Sequence, residues 1–166
     1  MFRKILYPTD FSDSANAALS YVKKLKEAGA EEVILLHVYD ERKIDIYWEI
    51  EAERHEKETL ARAKHEVVKR MLEKSYSKLK QLETDLQEVG LRTKLIVVEG
   101  IPYQEIVKVA EDMDVSLIVM GSHGERGLIE KIIGSTTERV ISHSPVPVPV
   151  IKPLNLQSKQ IRKNIQ

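Results

Sequence analysis

Five short apolar runs alternate with helical patterns along this chain, and that alternation restricts the fold more than any other feature. The runs are FRKILY (2–7), EVILLHV (32–38), LRTKLIVVE (91–99), VSLIVM (115–120) and VPVPVI (146–151). Together they are rich in β-branched residues, and each is short enough for a strand. Between them, Ala15, Ala18, Leu19, Val22 and Leu25 repeat at intervals of three and four before Ala28-Gly29, as in a helix stopped by glycine. A longer stripe runs through Leu60, Ala63, Val67, Met71, Leu79, Leu82 and Leu86 and closes at Gly90. Ile106, Val109 and Ala110 mark a third helix behind Pro102, which suits a first turn. Val140 and Ile141 mark a fourth. Strand and helix in this order predict an α/β fold, a parallel sheet with helices on both faces. In such sheets ligands bind beyond the carboxyl ends of the strands, where the strand order reverses.

At 166 residues the chain fits one domain with a substantial core. We place that domain at residues 1–153 and read 154–166 as a polar, basic and flexible tail. Lys and Arg number 26 and Asp and Glu number 26. Global charge therefore recruits neither nucleic acid nor an anionic membrane, and binding falls to a local site. The chain has no cysteine, which removes disulfides and thiolate catalysis and suits a reducing cytoplasm. No run approaches the roughly 20 apolar residues of a membrane span. The expectation is a soluble cytoplasmic protein. Residues 39–58 mix aromatics with dense charge and read as a solvated connection and helix extension, a flap near the site being the alternative.

Chemistry concentrates at two strand-to-helix turns. After Tyr7 come Pro8, Thr9 and Asp10, then Ser12 and Asp13 at a helix start. These side chains serve as helix caps, and an Asp here also suits a hydrogen bond to a ribose or base, or a divalent cation. After Met120 the stretch GSHGERGLIEKIIGST, 121–136, holds four of the chain's seven glycines. Gly121, Gly124 and Gly134 let backbone N–H groups converge on an anion, with Ser135 and Thr136 at the next helix start. The competing readings are a Ser135/Glu138 capping box and a loop merely shaped by its glycines. The P-loop and the GxGxxG fingerprint are absent, as is the GxSxG elbow. His55 and His65, ten apart, make no metal pair.

Gly121-x2-Gly124-x9-Gly134-Ser135 resembles the nucleotide-binding signature of the universal stress proteins, in their ATP-binding branch. The resemblance extends over ILYPTDFSDSA, VILLHVYDER, PYQEIVKVAEDMDVSLIVMGSHG and PVPVPVIKP, nearly the whole chain. It implies a doubly wound five-stranded sheet of order 3-2-1-4-5, like that of the adenine nucleotide alpha-hydrolases. It also implies a site: Pro8, Thr9 and Asp10 border the adenosine, the backbone of Val38 meets the adenine edge, and Leu36 and Met120 form apolar walls. Gly121 and His123 then lie beside the ribose and phosphates, and Gly124, Gly134, Ser135 and Thr136 hold the phosphates of ATP or AMP. Mg or Mn accompanies them, with Asp10 as its protein ligand.

Members of that family commonly dimerise through the last strand, where Pro147 and Pro149 each remove an N–H donor. Strand prolines also serve to prevent pairing. The function expected is a homodimeric, nucleotide-dependent switch or sensor in the stress response with an unknown protein partner. No general base or arginine finger is evident, so it is at most a weak ATPase. The alternatives are a nucleotide-free dimeric scaffold and an alpha-hydrolase enzyme, whose SGGxDS-type loop is absent.

Overall fold

The computed structural model describes residues 1–40, 42, 57–123 and 133–153. Gly124, the tail 154–166 and most of the charged segment 39–58 lie outside them. In chain order the elements are β1 (Lys4–Pro8), α1 (Asp13–Lys24), β2 (Glu32–Tyr39), α2 (Lys57–Gln87), β3 (Arg92–Glu99), α3 (Pro102–Asp112), β4 (Leu117–Ile118), β5 (Met120–Gly121), α4 (Ser135–His143) and β6 (Val150–Ile151).

Helix ends follow from local chemistry. The Ser12 side chain caps α1 by accepting from Ala15 N, Asp13 lies in the first turn, and Lys23 and Lys24 sit in the last, each charge opposing the nearer end of the helix dipole. Three helices close alike, with a bond reaching back five residues: Ala30 N to Leu25 O, Leu91 N to Leu86 O and Val115 N to Ala110 O. Each needs a left-handed residue just before the donor. Gly29 and Gly90 supply it at φ 91° and 80°, and Asp114 does so at φ 49°. The first two stops are legible as glycines; the third is an aspartate, one of the few side chains that tolerate this region.

The main sheet is parallel, with order β3-β2-β1-β4, and β5 pairs separately with β6. Alternation along the strands feeds two cores. Ile5, Tyr7, Val33, Leu35, Leu117 and Val119 point to the face covered by α1 and α2. Leu6, Ile34, Leu36, Ile118 and Met120 point to the face covered by α3 and α4, against Ile106, Val109 and Val140. Strands buried on both faces are the reason these runs lack polar alternation.

Two expectations change. A single five-stranded sheet was expected; the structure has four strands in one sheet and two in a separate ladder. The last strand nonetheless lies along 117–122, because Ile118, Met120 and Ser122 donate their N–H groups to the carbonyls of Pro147, Pro149 and Ile151 at 3.1, 3.1 and 2.9 Å. Return bonds from 147 and 149 are impossible because proline has no N–H, so regular pairing is confined to Val150–Ile151. Likewise the long stripe of α2 is not one buried face: Leu79 and Leu86 are fully buried, but Val67 and Met71 are exposed. A helix of 31 residues is about 46 Å long at 1.5 Å per residue, whereas the 8 residues of β3 extend only about 26 Å. The helix outruns the sheet.

Candidate functional site

Beyond Pro8 the chain of β1 turns into α1 on one face of the sheet, and beyond Gly121 the chain leads to α4 on the other. The carboxyl ends of these neighbouring segments therefore diverge and open a crevice between them. On the β1 side, Thr9 is 5% exposed. Its N–H donates to Leu36 O at 2.8 Å, its Oγ1 accepts from Phe11 N at 3.0 Å, and its carbonyl lies 2.8 Å from His37 Nδ1. Asp10 Oδ1 accepts from Ser12 N at 3.0 Å. Together these bonds hold Phe11 at φ 63°, a conformation that an aromatic residue rarely adopts. The Phe11 ring rests on that of His37, centroids 4.7 Å apart, and the Lys78 ammonium lies 4.8 Å over it.

Next along the crevice is Val38. Pairing of β1 with β2 ends at Pro8 with Leu36, while β2 continues against β3 to Tyr39. Leu36 turns its carbonyl toward Thr9, and Gly100 N bonds to Tyr39 O on the opposite side. By alternation, Val38 directs its N–H and C=O to the side that β1 has already left. The result is a donor and an acceptor side by side at the rim. Leu36 and Met120, expected as apolar walls, are 0% and 6% exposed, so they form a closed floor rather than open sides.

The far wall is the end of β5 and the start of α4. A Cβ on Gly121 would lie 2.6 Å from Ser14 C and 2.7 Å from both Ala15 N and Ser14 O. Glycine is thus demanded here by the first turn of α1, and no ligand is needed to explain it. Gly134 caps α4 with ordinary extended dihedrals and no side-chain bond. The Ser135/Glu138 capping box is therefore not formed: Ser135 is already inside the helix. Helix geometry leaves the leading N–H groups of Ser135 and Thr136 without intrahelical acceptors. Gly134 N donates to Ser122 O at 2.7 Å and Thr137 Oγ1 to Gly121 O at 3.1 Å, which ties the start of α4 to the end of β5.

Thus the structure brings Pro8, Thr9, Asp10, Val38, Gly121, His123, Gly134, Ser135 and Thr136 to one rim of the sheet, above Leu36 and Met120, while Gly124 lies outside the described residues. Sequence reasoning missed Ser14, Ser122 and Thr137, which are 5%, 0% and 4% exposed. Thr137 leaves a faint trace as a polar residue three before Val140 on the apolar stripe. Ser14 and Ser122 leave none, because only the tertiary fold brings them together. Burial pushes the Tyr7 hydroxyl up to about 12, and that hydroxyl donates to Ala15 O at 2.7 Å, tying the end of β1 to α1. Among the described residues no group of three or more His, Cys, Asp or Glu side chains is placed to hold a metal ion. A groove of about 490 Å³ at the β3 edge, lined by Leu72, Glu73, Tyr76, Ser77 and Val97, lies two strands from β1 and has no part in this crevice.

Fold and crevice define an open parallel α/β domain with a crevice at its topological switch point, the place where sheets of this class bind ligands. Residues 1–152 match the model of the universal stress protein family, and the chain belongs to that family. It is 45% identical over 158 residues to universal stress protein MJ0577 of Methanocaldococcus jannaschii, spanning 93% of this chain and 98% of that relative. The solved structure of MJ0577 superposes with a TM-score of 0.81 at 44% identity, covering 93% of this chain and 99% of that one. Two more distant structures share the fold. A universal stress protein in complex with cAMP has a TM-score of 0.59 at 18% identity, with coverages of 91% and 97%. A family protein of Arabidopsis thaliana with AMP bound has a TM-score of 0.59 at 17% identity, with coverages of 93% and 94%. No described helix is long and apolar enough to cross a membrane.

Proposed function

We propose that this chain is an ATP-binding universal stress protein, a cytoplasmic nucleotide-dependent switch or sensor whose domain occupies residues 1–153. The observation that carries the reading is Val38, whose adjacent main-chain donor and acceptor face the slot vacated by β1. Adenine presents the complementary pair on its own edge. Leu36 and Met120 floor that slot, Asp10 lies at the ribose end, and the uncapped start of α4, with Gly121, His123 and Gly134, receives the phosphates. Complexes of relatives with cAMP and AMP support an adenine nucleotide as the ligand. Asp10 is the protein ligand for a Mg or Mn ion that the phosphates bring with them. One carboxylate plus phosphate oxygens is an ordinary set for Mg. Among the described residues the crevice offers no placed general base, and hydrolysis is slow or awaits a partner.

The protein dimerises through its last strand. Carbonyls of Pro147 and Pro149 turn inward to Ile118 and Met120, so the missing proline donors belong to the inner side. Val148 and Val150, which alternate with them, keep their N–H and C=O groups for the outer edge. The prolines weaken the chain's own ladder and leave the intermolecular one intact. Val148→Lys is expected to convert a dimer to a monomer by light scattering without loss of secondary structure; an unchanged mass overturns this interface.

Calorimetric titration with ATP, AMP, cyclic AMP and GTP, with and without Mg, tests the site. Selective uptake of adenine nucleotides is expected, and nucleotide should also be released when freshly purified protein is denatured. Equal binding of GTP, or no binding at millimolar concentration, overturns the reading and favours a nucleotide-free scaffold. Prolonged incubation with labelled ATP measures turnover.

A further inference from the structure

Among the described residues two non-glycine positions have a left-handed backbone, Phe11 at φ 63° and Asp114 at φ 49°. Asp114 closes a helix, a task that glycine performs at Gly29 and Gly90, and aspartate is one of the few side chains that tolerate it. Phe11 is different. A bulky aromatic is an outlier in this region, and a turn that needed the backbone conformation alone would carry glycine or asparagine. The position therefore demands the ring as well as the turn.

The neighbours of the ring show what it does. Its centroid lies 4.7 Å from that of His37, with the planes 34° apart, and the Lys78 ammonium stands 4.8 Å over it. Both separations fall where aromatic pairs and cation–π contacts attract. The three residues come from three places: Phe11 from the turn after β1, His37 from β2 and Lys78 from α2. His37 also grips the main chain of the same turn. A carbonyl only accepts, so the 2.8 Å contact between Nδ1 and Thr9 O is a donation from the imidazole. Leu36 and Val38 belong to the core on the α3/α4 face, whereas Phe11 packs against the core on the α1/α2 face. The stack thus stands behind the crevice wall. In the turn itself Thr9 Oγ1 accepts from Phe11 N and Asp10 Oδ1 from Ser12 N, at 3.0 Å each. Rotation about the Phe11 N–Cα bond moves Ser12 N relative to Asp10, so the second bond depends on the φ at which Phe11 is held.

We propose that Phe11, His37 and Lys78 are positioning residues: their stack clamps the turn 9–12 in its left-handed form and so fixes the Asp10 carboxylate for the nucleotide. This rests on the nucleotide reading for the ligand, and on the geometry of the stack alone for the clamp. Strained backbone persists only where its surroundings over-determine it, and it gathers at ligand clamps. A ring seated between a strand and a cation from α2 supplies that constraint here. Ser12, at the end of the turn, carries it onward: its Oγ caps α1 through Ala15 N and donates to the His123 carbonyl on the opposite wall at 3.4 Å.

The test joins proton NMR of the full-length, ligand-free protein with calorimetric titration of ATP. The Lys78 methylene beside the ammonium is expected upfield of ordinary lysine, shifted by the Phe11 ring current. It should return in Phe11→Asn, which keeps the left-handed preference and removes the ring. Lys78→Met removes an exposed charge and leaves the core intact, so it carries the test even where Phe11→Asn folds poorly. Its ATP affinity should fall about two- to fivefold, the worth of an exposed cation–π contact, and Lys78→Arg should restore it. Lys80→Met, which removes a nearby exposed cation lying 5.9 Å from the Tyr76 ring, should change neither reading. An unshifted Lys78 methylene in the wild type overturns the clamp. Unaltered ATP affinity in Lys78→Met and Phe11→Asn, whatever their urea midpoints, makes the stack a matter of packing alone and overturns the positioning role. Failure of any nucleotide to bind the wild type refutes the function proposed above and the positioning role with it, and the ligand-free spectrum still decides the clamp.

Discussion

Replacing Gly121 by alanine gives the sharpest test of how the crevice is built. The new Cβ would fall 2.6 to 2.7 Å from three main-chain atoms of Ser14 and Ala15, about 1 Å inside the usual carbon contact of roughly 3.5–4.0 Å. No flexible side chain can yield there, so α1 or the end of β5 must move. Either motion strains the Tyr7 hydroxyl bond to Ala15 O and the bonds joining Ser14 to Ser122 and His123. Overpacking of this kind costs about 1–3 kcal/mol, and the strained hydrogen bonds put Gly121→Ala near the top, about 3 kcal/mol. For a domain of this size that corresponds to a drop in Tm of roughly 6–12 °C. Urea unfolding should show a lower midpoint at unchanged slope, the signature of lost stability without a change in the unfolded state. Gly29→Ala provides a contrast: its φ is 91° but nothing lies within 4 Å of a new Cβ, so only the left-handed penalty of about 1–2 kcal/mol applies. A Gly121→Ala protein within about 0.5 kcal/mol of wild type would refute the steric reasoning. Lost nucleotide affinity in such a protein would make the ligand, and not α1, the reason for glycine at this position.

Tyr7 gives a pH prediction. Its hydroxyl titrates near 10 in the unfolded chain and at about 12 in the fold, so between those values the unfolded state alone loses a proton. Stability is therefore full below pH 10 and falls by about 3 kcal/mol as pH rises to 12; Tyr7→Phe should flatten that slope in urea melts across the range. Leu35→Ala, at a fully buried position in the α1/α2 core, is expected to cost about 2–5 kcal/mol by the same assay. Asp85→Asn breaks the 3.3 Å pair with Lys23, yet both side chains are partly exposed, so the loss should stay under about 1 kcal/mol and shrink in salt.

By itself the sequence determined the layering of this protein. Near-continuous apolar runs such as VILLHV need cover on both faces, and glycine stops at Gly29 and Gly90 bound the intervening helices. It also located the rim, since Thr9, Asp10 and the glycine stretch follow directly on strands. Three matters were left to the tertiary structure. Pro147 and Pro149 read as a blunted outer edge, but which side a strand residue faces depends on its register against 117–122, and the register turned them inward. Gly121 read as room for a phosphate; that it also makes room for the helix beginning at residue 13, which meets it only after the sheet has formed, is visible only in the fold. Ser14 and Ser122 carry no pattern at all, for they are 108 residues apart and acquire a role only where two strand ends diverge. Periodicity and backbone preference are properties of neighbouring residues and survive in one dimension; contact and direction belong to the folded chain.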